Sequence, residues 1–499
     1  MRPHWYHRIY RIHPGIGVAR IGNSELEGTD GHFIGPEVPD VSFVPPPKGQ
    51  YRDKNDDIRR QGVRFRIYEY TYRVGQPAKL IPVRPPHHFV REITAKDADI
   101  DWHVHLANRK SKDVNGQQVN DPGEKTIGGL HKHVEVVGAV LGDKVKLGTL
   151  LTDGAGRLVL LGGHGRSRSP SGALLGGLFN SGWYDDVSDG SVRATIKLKK
   201  GGAMPTVEPA WVIVGVPGFA HPITSIVSLY DLAYDVATRL PPPNALTPPT
   251  LLSFTRHIYP MLIRPVMMQW VSQMAQMGHS GAGGGNFLDP ARFNLLKDNN
   301  TDPSSAAYQE RQFVFQQLKA PDGSGTGDMP KLWGLSVTQT QYDAFAKWAA
   351  GTFAADWVAP PVVTPFSQLT PLAQTRALDR TGLWTSVGGA FYPGIEACVV
   401  MNDTKTYESP FRIRHTLVPG ALTEQLSVPW QADYTACGTG WWPGGRPNEV
   451  TQDGTTFYEW LNFGSMDKTV TDWWKLGFIA KKTVKGTEIY AETERLAPT

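Results

Sequence analysis

The pattern of apolar and polar positions changes twice along the chain. Over residues 1–220 it has the two-residue period of strands. In "VRFRIYEYTYRV" (63–74), Val63, Phe65 and Ile67 alternate with charge, and tyrosines then take the even positions. "VRATIKLKK" (192–200) puts Val192, Ala194, Ile196 and Leu198 on one face and Arg, Thr and Lys on the other, as a half-exposed strand requires. "GRLVLLGG" (156–163) and "AWVIVGV" (210–216) are continuous apolar runs, which suit buried strands.

From 221 to 355 the period becomes helical. "ITSIVSLYDLAYDVATRL" (223–240) predicts a helix that stops at "PPP" (241–243), because proline lacks the N–H and clashes with the preceding turn. "LLSFTRHIYPMLIRPVMMQWVSQMAQM" (251–277) predicts helices interrupted at Pro260 and Pro265, with the methionines as core filler. "TQTQYDAFAKWAAGTF" (338–353) predicts another helix. Residues 356–499 are rich in loops and indoles. Trp430, Trp441, Trp442, Trp460, Trp473 and Trp474 put six of the chain's 15 tryptophans within 45 residues. There "SMDKTVTDWWKLGF" (465–478) predicts a short helix. Met466, Val470 and Trp473 share its face, Trp474 lies beside it, and Gly477 supplies a stop. The expected fold is α+β. A sandwich-like β-rich domain (1–220) is followed by a mainly helical region (221–355) and a C-terminal region (356–499) packed on the rest.

Composition narrows the function classes. Lys+Arg 51 against Asp+Glu 47 leaves +4, with no basic run interleaved with aromatics, so nucleic acid is not an expected partner. No apolar run approaches the ~20 residues that span a bilayer, and the start lacks the apolar core of a Sec signal. A membrane is therefore not expected either. The expected location is cytoplasmic during maturation, with export by another route left open. Gly 53 and Pro 39 together exceed the ~12% of average usage and predict many turns. "GAGGGN" (281–286) and "GSGTG" (323–327) lack the Gly-Lys-Ser/Thr of a phosphate loop and follow no strand, so they read as plain loops.

Candidate chemistry lies in three places. His103 with His105, and His131 with His133, are H-x-H pairs whose rings would share a strand face, as a metal site could use. No matching acids, H-E-x-x-H or CxxC accompany them, and polar strand faces are the plainer reading. No G-x-S-x-G elbow appears. The third place is "QADYTACGTGWWPGGRP" (431–447). It holds Cys437, one of only two cysteines, with Asp433 four residues before it and Trp441–Trp442 after it. A thiolate is a strong nucleophile, an oxidised indole can accept sulfur, and a nearby carboxylate can take protons. The plainer reading is an aromatic loop with a buried thiol.

Longer stretches bear on that choice. "IYRIHPGIGVARIGNS" (9–24), "ADIDWHVHLANRKS" (98–111), "GRLVLLGGHGRS" (156–167), "SGWYDDVSDGSVRATI" (181–196) and "AWVIVGVPGFAHP" (210–222) form one collinear set. "LDRTGLWTSVGGAFYPGIEA" (378–397), "YESPFRIR" (407–414), "PWQADYTACGTGWWPGGRP" (429–447) and "WWKLGF" (473–478) continue it. Together they resemble the lysine ε-oxidase / glycine oxidase family, quinoprotein amine oxidases that use cysteine tryptophylquinone. The resemblance implies that Cys437 forms a thioether to an oxidised tryptophan in the W-x-x-L-G-F segment. That is Trp473, or Trp474 if the register shifts by one. Asp433 is then the acid of the D-x-x-x-C motif and the base for turnover, and should be partly desolvated. Trp441 and Trp442 would wall the site. Ser386 stands where relatives often carry cysteine, which leaves Cys398 a free buried thiol.

The implied activity is oxidation of a primary amine by O2, releasing aldehyde or oxo-acid, ammonia and hydrogen peroxide. Glycine, the lysine side-chain amine and related amines are the candidate substrates. The implied partners are a flavoprotein that helps mature the cofactor and further copies of the chain in a homo-oligomer. No metal is implied. The Cys437–Trp473 spacing is shorter than in the best-known members, and pocket residues those members place downstream have no counterpart. The competing expectation is therefore a silent family member serving as a scaffold or binding protein.

Overall fold

The computed structural model describes residues 6–39, 51–74, 80–82, 90–110, 119–331, 335–389, 397–436 and 445–496. Its largest element is a 14-stranded sheet built from residues 6–215. The hub is the 15-residue strand Arg60–Val74, which pairs along its length with six others. The expected strand at 63–74 is therefore real, but charged residues on both of its faces are covered. Arg66 and Glu69 are buried, and Arg66 pairs with Glu37 and Glu92 and stacks over Phe366. Charge alternation there marks buried ion pairs instead of a wet face, since buried charges persist when paired.

The two continuous apolar runs are central strands, Leu158–Gly162 and Ala210–Gly215, buried throughout. The second lies parallel to Ile16–Arg20, with Ile213 opposite Val18. Parallel strands are covered on both faces, and this pair shows why no alternation appears. Val212 and Val214 enter the main core. Trp211 and Ile213 enter a second core under the helix Leu229–Thr238. By contrast, Ala98–Ala107 and Ser188–Leu198, paired from Ala98 opposite Leu198 to Ala107 opposite Asp189, leave one face more exposed over 98–105 and 192–197, while Ser188, Asp189 and Gly190 are all buried.

The helix expected at 223–240 begins later, at Leu229. Ser228 and Asp231 form a capping box, and this fixes the start. Pro260 marks a boundary as expected, where the π-helical turn Phe254–Ile258 gives way to the helix Tyr259–Met267, whereas Pro265 lies inside that helix without interrupting it. Pro260 sits in the first turn of Tyr259–Met267, where an N–H is not needed, and Pro265 is tolerated near the helix's end. The helices Ala306–Gln316 and Gln339–Ala349 share a third core with Phe254, Leu262 and Phe353. The C-terminal aromatics Trp430, Tyr434, Trp460, Trp473 and Phe478 belong to the same core as the sheet.

Three aspartates on one segment tie this region to the sheet. Asp189 accepts from the Trp211 indole (2.9 Å) and from the Thr423 backbone and hydroxyl (2.8 and 2.7 Å). Asp185 and Asp186, just before the strand, do the same for the candidate site.

Candidate functional site

Two short helices meet beside the sheet. Gln431–Ala436 carries Asp433, and Met466–Asp472 continues into a 3-10 turn at Trp473–Lys475. Thr435 on the first donates to Thr469 on the second across 3.1 Å. Ser465 caps the second helix by accepting from Lys468 N. Gly477 is not the expected left-handed stop. Its φ is not positive, and its role is space: a Cβ there would lie 2.5 Å from the buried Glu492 side chain. The turn instead leads into the hairpin Phe478–Val484/Thr487–Thr493. Arg52, from the N-terminal half, donates to Leu476 O (2.9 Å) and Glu494 O (2.7 Å) and anchors both ends of that passage.

The structure separates the two candidate tryptophans. Trp473 is buried, and its ring meets Trp430 edge to face at 5.2 Å and 73°. Such a pair adds about 0.5–1.5 kcal/mol beyond area burial. Trp474 is half-buried. Its indole N–H donates to Thr471 O of its own helix (3.1 Å), and the Lys475 ammonium lies 5.4 Å from its ring centroid. Gly165 closes the other described side of Trp473. It has φ +72°, and a Cβ there would lie 2.2 Å from Cζ2 of the indole.

Asp433 is wholly buried, more than the partial desolvation expected of it. Its helix is held by Ser167, which donates to Gln431 Oε1 (2.7 Å), and by Arg446, which donates to Tyr434 O (2.5 Å). Behind it lies a buried charge cluster. Lys110 Nζ and Asp185 Oδ2 are 2.5 Å apart with neither side chain exposed. Asp185 also accepts from Asn108 Nδ2 (3.0 Å) and Trp430 N (2.8 Å). Burial pushes the Lys110 ammonium down, while the charges of Asp185, Asp186 and Asp433 pull it back up. Asp186 accepts from the backbone N–H of His164 (2.7 Å) and Arg166 (3.1 Å). Burial pushes Asp186 up to about 7, and the neighbouring Asp185 charge adds to this.

Other sequence candidates stand apart. His103 meets Thr126 and Thr195 through its two ring nitrogens, and His105 meets Asp121. His131 sits in a turn with positive φ, not on a strand, so the second H-x-H pair is not a shared strand face. No cluster of three or more His, Cys, Asp or Glu fit to hold a metal occurs among the described residues. Ser386 donates to Gly382 O (2.9 Å) and accepts from Arg20 (3.0 Å), a structural role. Cys437, Trp441 and Trp442 lie outside the described residues, as does the Cys398 side chain. Sequence reasoning missed Lys110, Gly165, Asp185 and Asp186 as individual residues. The consecutive acids in "WYDDV" and the glycines of "GGHG" after a buried strand were the available signals.

A family model of the L-lysine epsilon oxidase N-terminal region matches residues 13–128 and 112–214, and one of the L-lysine epsilon oxidase C-terminal domain matches residues 323–462. These matches place the chain among oxidoreductases that act on amines with oxygen; it belongs to the L-lysine epsilon oxidase family. The L-lysine 6-oxidase of Marinomonas mediterranea is 25% identical over an alignment of 579 residues, covering 90% of this chain and 75% of that one. A crystal structure of the L-Lys epsilon-oxidase from the same organism, as its Schiff base intermediate with L-Lys, shares the fold. The TM-score is 0.72 at 21% identity, covering 97% of this chain and 95% of that one. A second structure of that enzyme also gives a TM-score of 0.72, at 20% identity.

Proposed function

We propose that this chain is a cysteine tryptophylquinone-dependent oxidase of a primary amine, with the lysine side-chain amine or a related amine as substrate. The observation that carries the reading is the pairing of two helices. Buried Trp473 packs on the segment that bears buried Asp433, and Cys437 is the next residue in sequence after that helix. The donor set fits a protein-derived quinone: one indole held in a fixed orientation, one cysteine, one buried acid.

Cys437 and Trp473 would hold the cofactor, with Trp474 the weaker choice because its indole is bonded along its own helix. Once formed, the group supplies an electrophilic carbonyl for the amine nitrogen and a store for two electrons. Asp433 takes the proton from the carbon bearing that nitrogen. Burial of its helix keeps bulk water from competing for the carboxylate. Lys110 and Asp185 set the charge behind it. In balance, amine, O2 and water give aldehyde, ammonia and hydrogen peroxide.

Maturation removes four hydrogens and adds two oxygens, which requires an external oxidising partner. A flavoprotein working with O2 fits that need. Homo-oligomer formation is part of the same reading, as is maturation in the cytoplasm.

The test is a peptide mass map of the chain purified from its native host. The expected result is one cross-linked species joining the peptides of Cys437 and Trp473, about 28 mass units above their sum. Peroxide release over a panel of amines that includes L-lysine and glycine then identifies the substrate. Two separate peptides at unmodified mass, with no peroxide, would establish the silent scaffold instead.

A further inference from the structure

Two of the walls that touch the Trp473 ring come from distant parts of the chain, and both trace back to one dipeptide. The first wall is the Trp430 ring. Its backbone N–H donates to Asp185 Oδ2 at 2.8 Å, which fixes the residue that precedes the Asp433 helix. The second wall is Gly165. The residues on either side of it, His164 and Arg166, donate their backbone N–H groups to Asp186 Oδ2. Gly163, next in line, has room for no side chain because a Cβ would lie 2.5 Å from the same carboxylate. Asp185 and Asp186 are 0% and 1% exposed. Two adjacent buried carboxylates thus grip two remote segments, and each segment delivers one wall.

We infer that Asp185 and Asp186 are the positioning residues of the Trp473 indole, with Lys110 as the counter-charge that lets the pair stay buried. The inference rests on the reading of Trp473 as the cofactor tryptophan. A thioether forms only if one carbon of the indole and the cysteine sulfur meet at bonding approach. A misplacement of about 1 Å can lower such a step by about a hundredfold. An edge-to-face contact with Trp430 and van der Waals contact with a backbone that carries no side chain fix the ring's tilt and depth together. A simple hydrophobic pocket would fix neither. Lys110 enters because a buried carboxylate without its partner is costly.

The experiment separates charge from anchoring. Asp185→Asn with Lys110→Met is neutral and keeps an acceptor for Trp430 N. Asp185→Ala with Lys110→Met is equally neutral and has none. Asp186→Asn and Asp186→Ala make the same contrast at the second anchor. Each full chain is expressed with its native maturation partner and read by the fraction of cross-linked 437–473 peptide. The alanine forms are expected to lose cross-link by about tenfold or more, and the asparagine forms to stay within about threefold of the parent. Rescue by asparagine is the signature that a merely structural loss would not show.

Cross-linking of the alanine forms at the parent level, or no recovery by asparagine, would overturn the inference. If the parent itself carries no cross-link, the proposed function fails. The positioning claim is then read by amide exchange over 430–436 and 466–476, which should rise in the alanine forms alone; no rise overturns it. If the alanine forms fail to fold, shown by raised exchange in the distant helix Gln339–Ala349, Gly165→Ala takes their place. It moves a wall without touching a carboxylate, and unchanged ring packing in that variant overturns the claim.

Discussion

Gly165 and Trp473 are in contact with no space between them for a methyl group: a Cβ on the glycine would fall 2.2 Å from Cζ2 and 2.7 Å from Cη2 of the indole. The glycine also sits at φ +72°, where an L side chain is strained. Gly165→Ala should therefore lose stability twice. The backbone costs about 1–2 kcal/mol and the overlap about 1–3 kcal/mol. A melting curve gives the sum. Near-UV circular dichroism should show the tryptophan environment altered, and an unchanged melting temperature would refute the contact.

Trp473→Phe and Trp474→Phe should behave differently although they are neighbours. The first removes a buried ring that packs on Trp430 and is expected to abolish both the cross-link and peroxide formation. The second changes a half-buried ring and should cost about 1 kcal/mol or less with the cross-link intact. The mass map decides, and a cross-link that survives Trp473→Phe moves the cofactor to Trp474.

Asp433→Asn keeps the shape of the buried carboxylate and removes its basicity. Removal of a general base typically costs about 10²–10⁴-fold. The expected outcome in chain that still carries the cross-link is a loss of that size in kcat, with KM little changed. Amine-dependent peroxide kinetics measure it, and a kcat within threefold of the parent removes Asp433 from the base role.

Asp186 makes stability depend on pH. Its folded pKa, about 7, lies above the ordinary carboxylate value, so the folded chain holds a proton that the unfolded chain has released. Its contribution is full below about pH 4 and falls as pH rises to about 7, at about 1.4 kcal/mol per pH unit inside that window. Asp186→Asn lacks this slope. The stability of Asp186→Asn relative to the parent should rise between pH 5 and pH 8, read by denaturant unfolding at each pH. A flat difference overturns the assignment.

Much of this architecture is legible in residues taken one stretch at a time. The strand at 192–198 shows its period because one face is wet, and the strands at 158–162 and 210–215 show theirs as unbroken apolar runs because both faces are covered. Asp433 stands out because acid, thiol and indoles crowd residues 431–447, whereas Trp473 is singled out only by the family resemblance of its W-x-x-L-G-F segment. What the sequence hides is long-range and polar. Arg66 and Glu69 look like surface charge until Glu37, Glu92 and Arg91 arrive to pair with them. Asp185 shows no role within its own stretch until Lys110 and Trp430 N come within bonding distance. Gly477 looks like a helix stop and is a gap left for Glu492. Local period cannot reveal a partner that lies outside its own stretch.

The Arg52 guanidinium, joined to Leu476 O and Glu494 O, has a consequence for the order of events during biosynthesis. Contacts between such distant residues close only after long loops have been drawn in, so they form late. The indole's seat draws on residues 165, 185 and 430, and its exit is pinned by residue 52, so no nascent fragment lacking the C-terminal segment can present a finished reaction centre. Under the proposed function, a maturation partner would therefore act on a chain that is already folded, with the completed tertiary structure as the checkpoint for the modification.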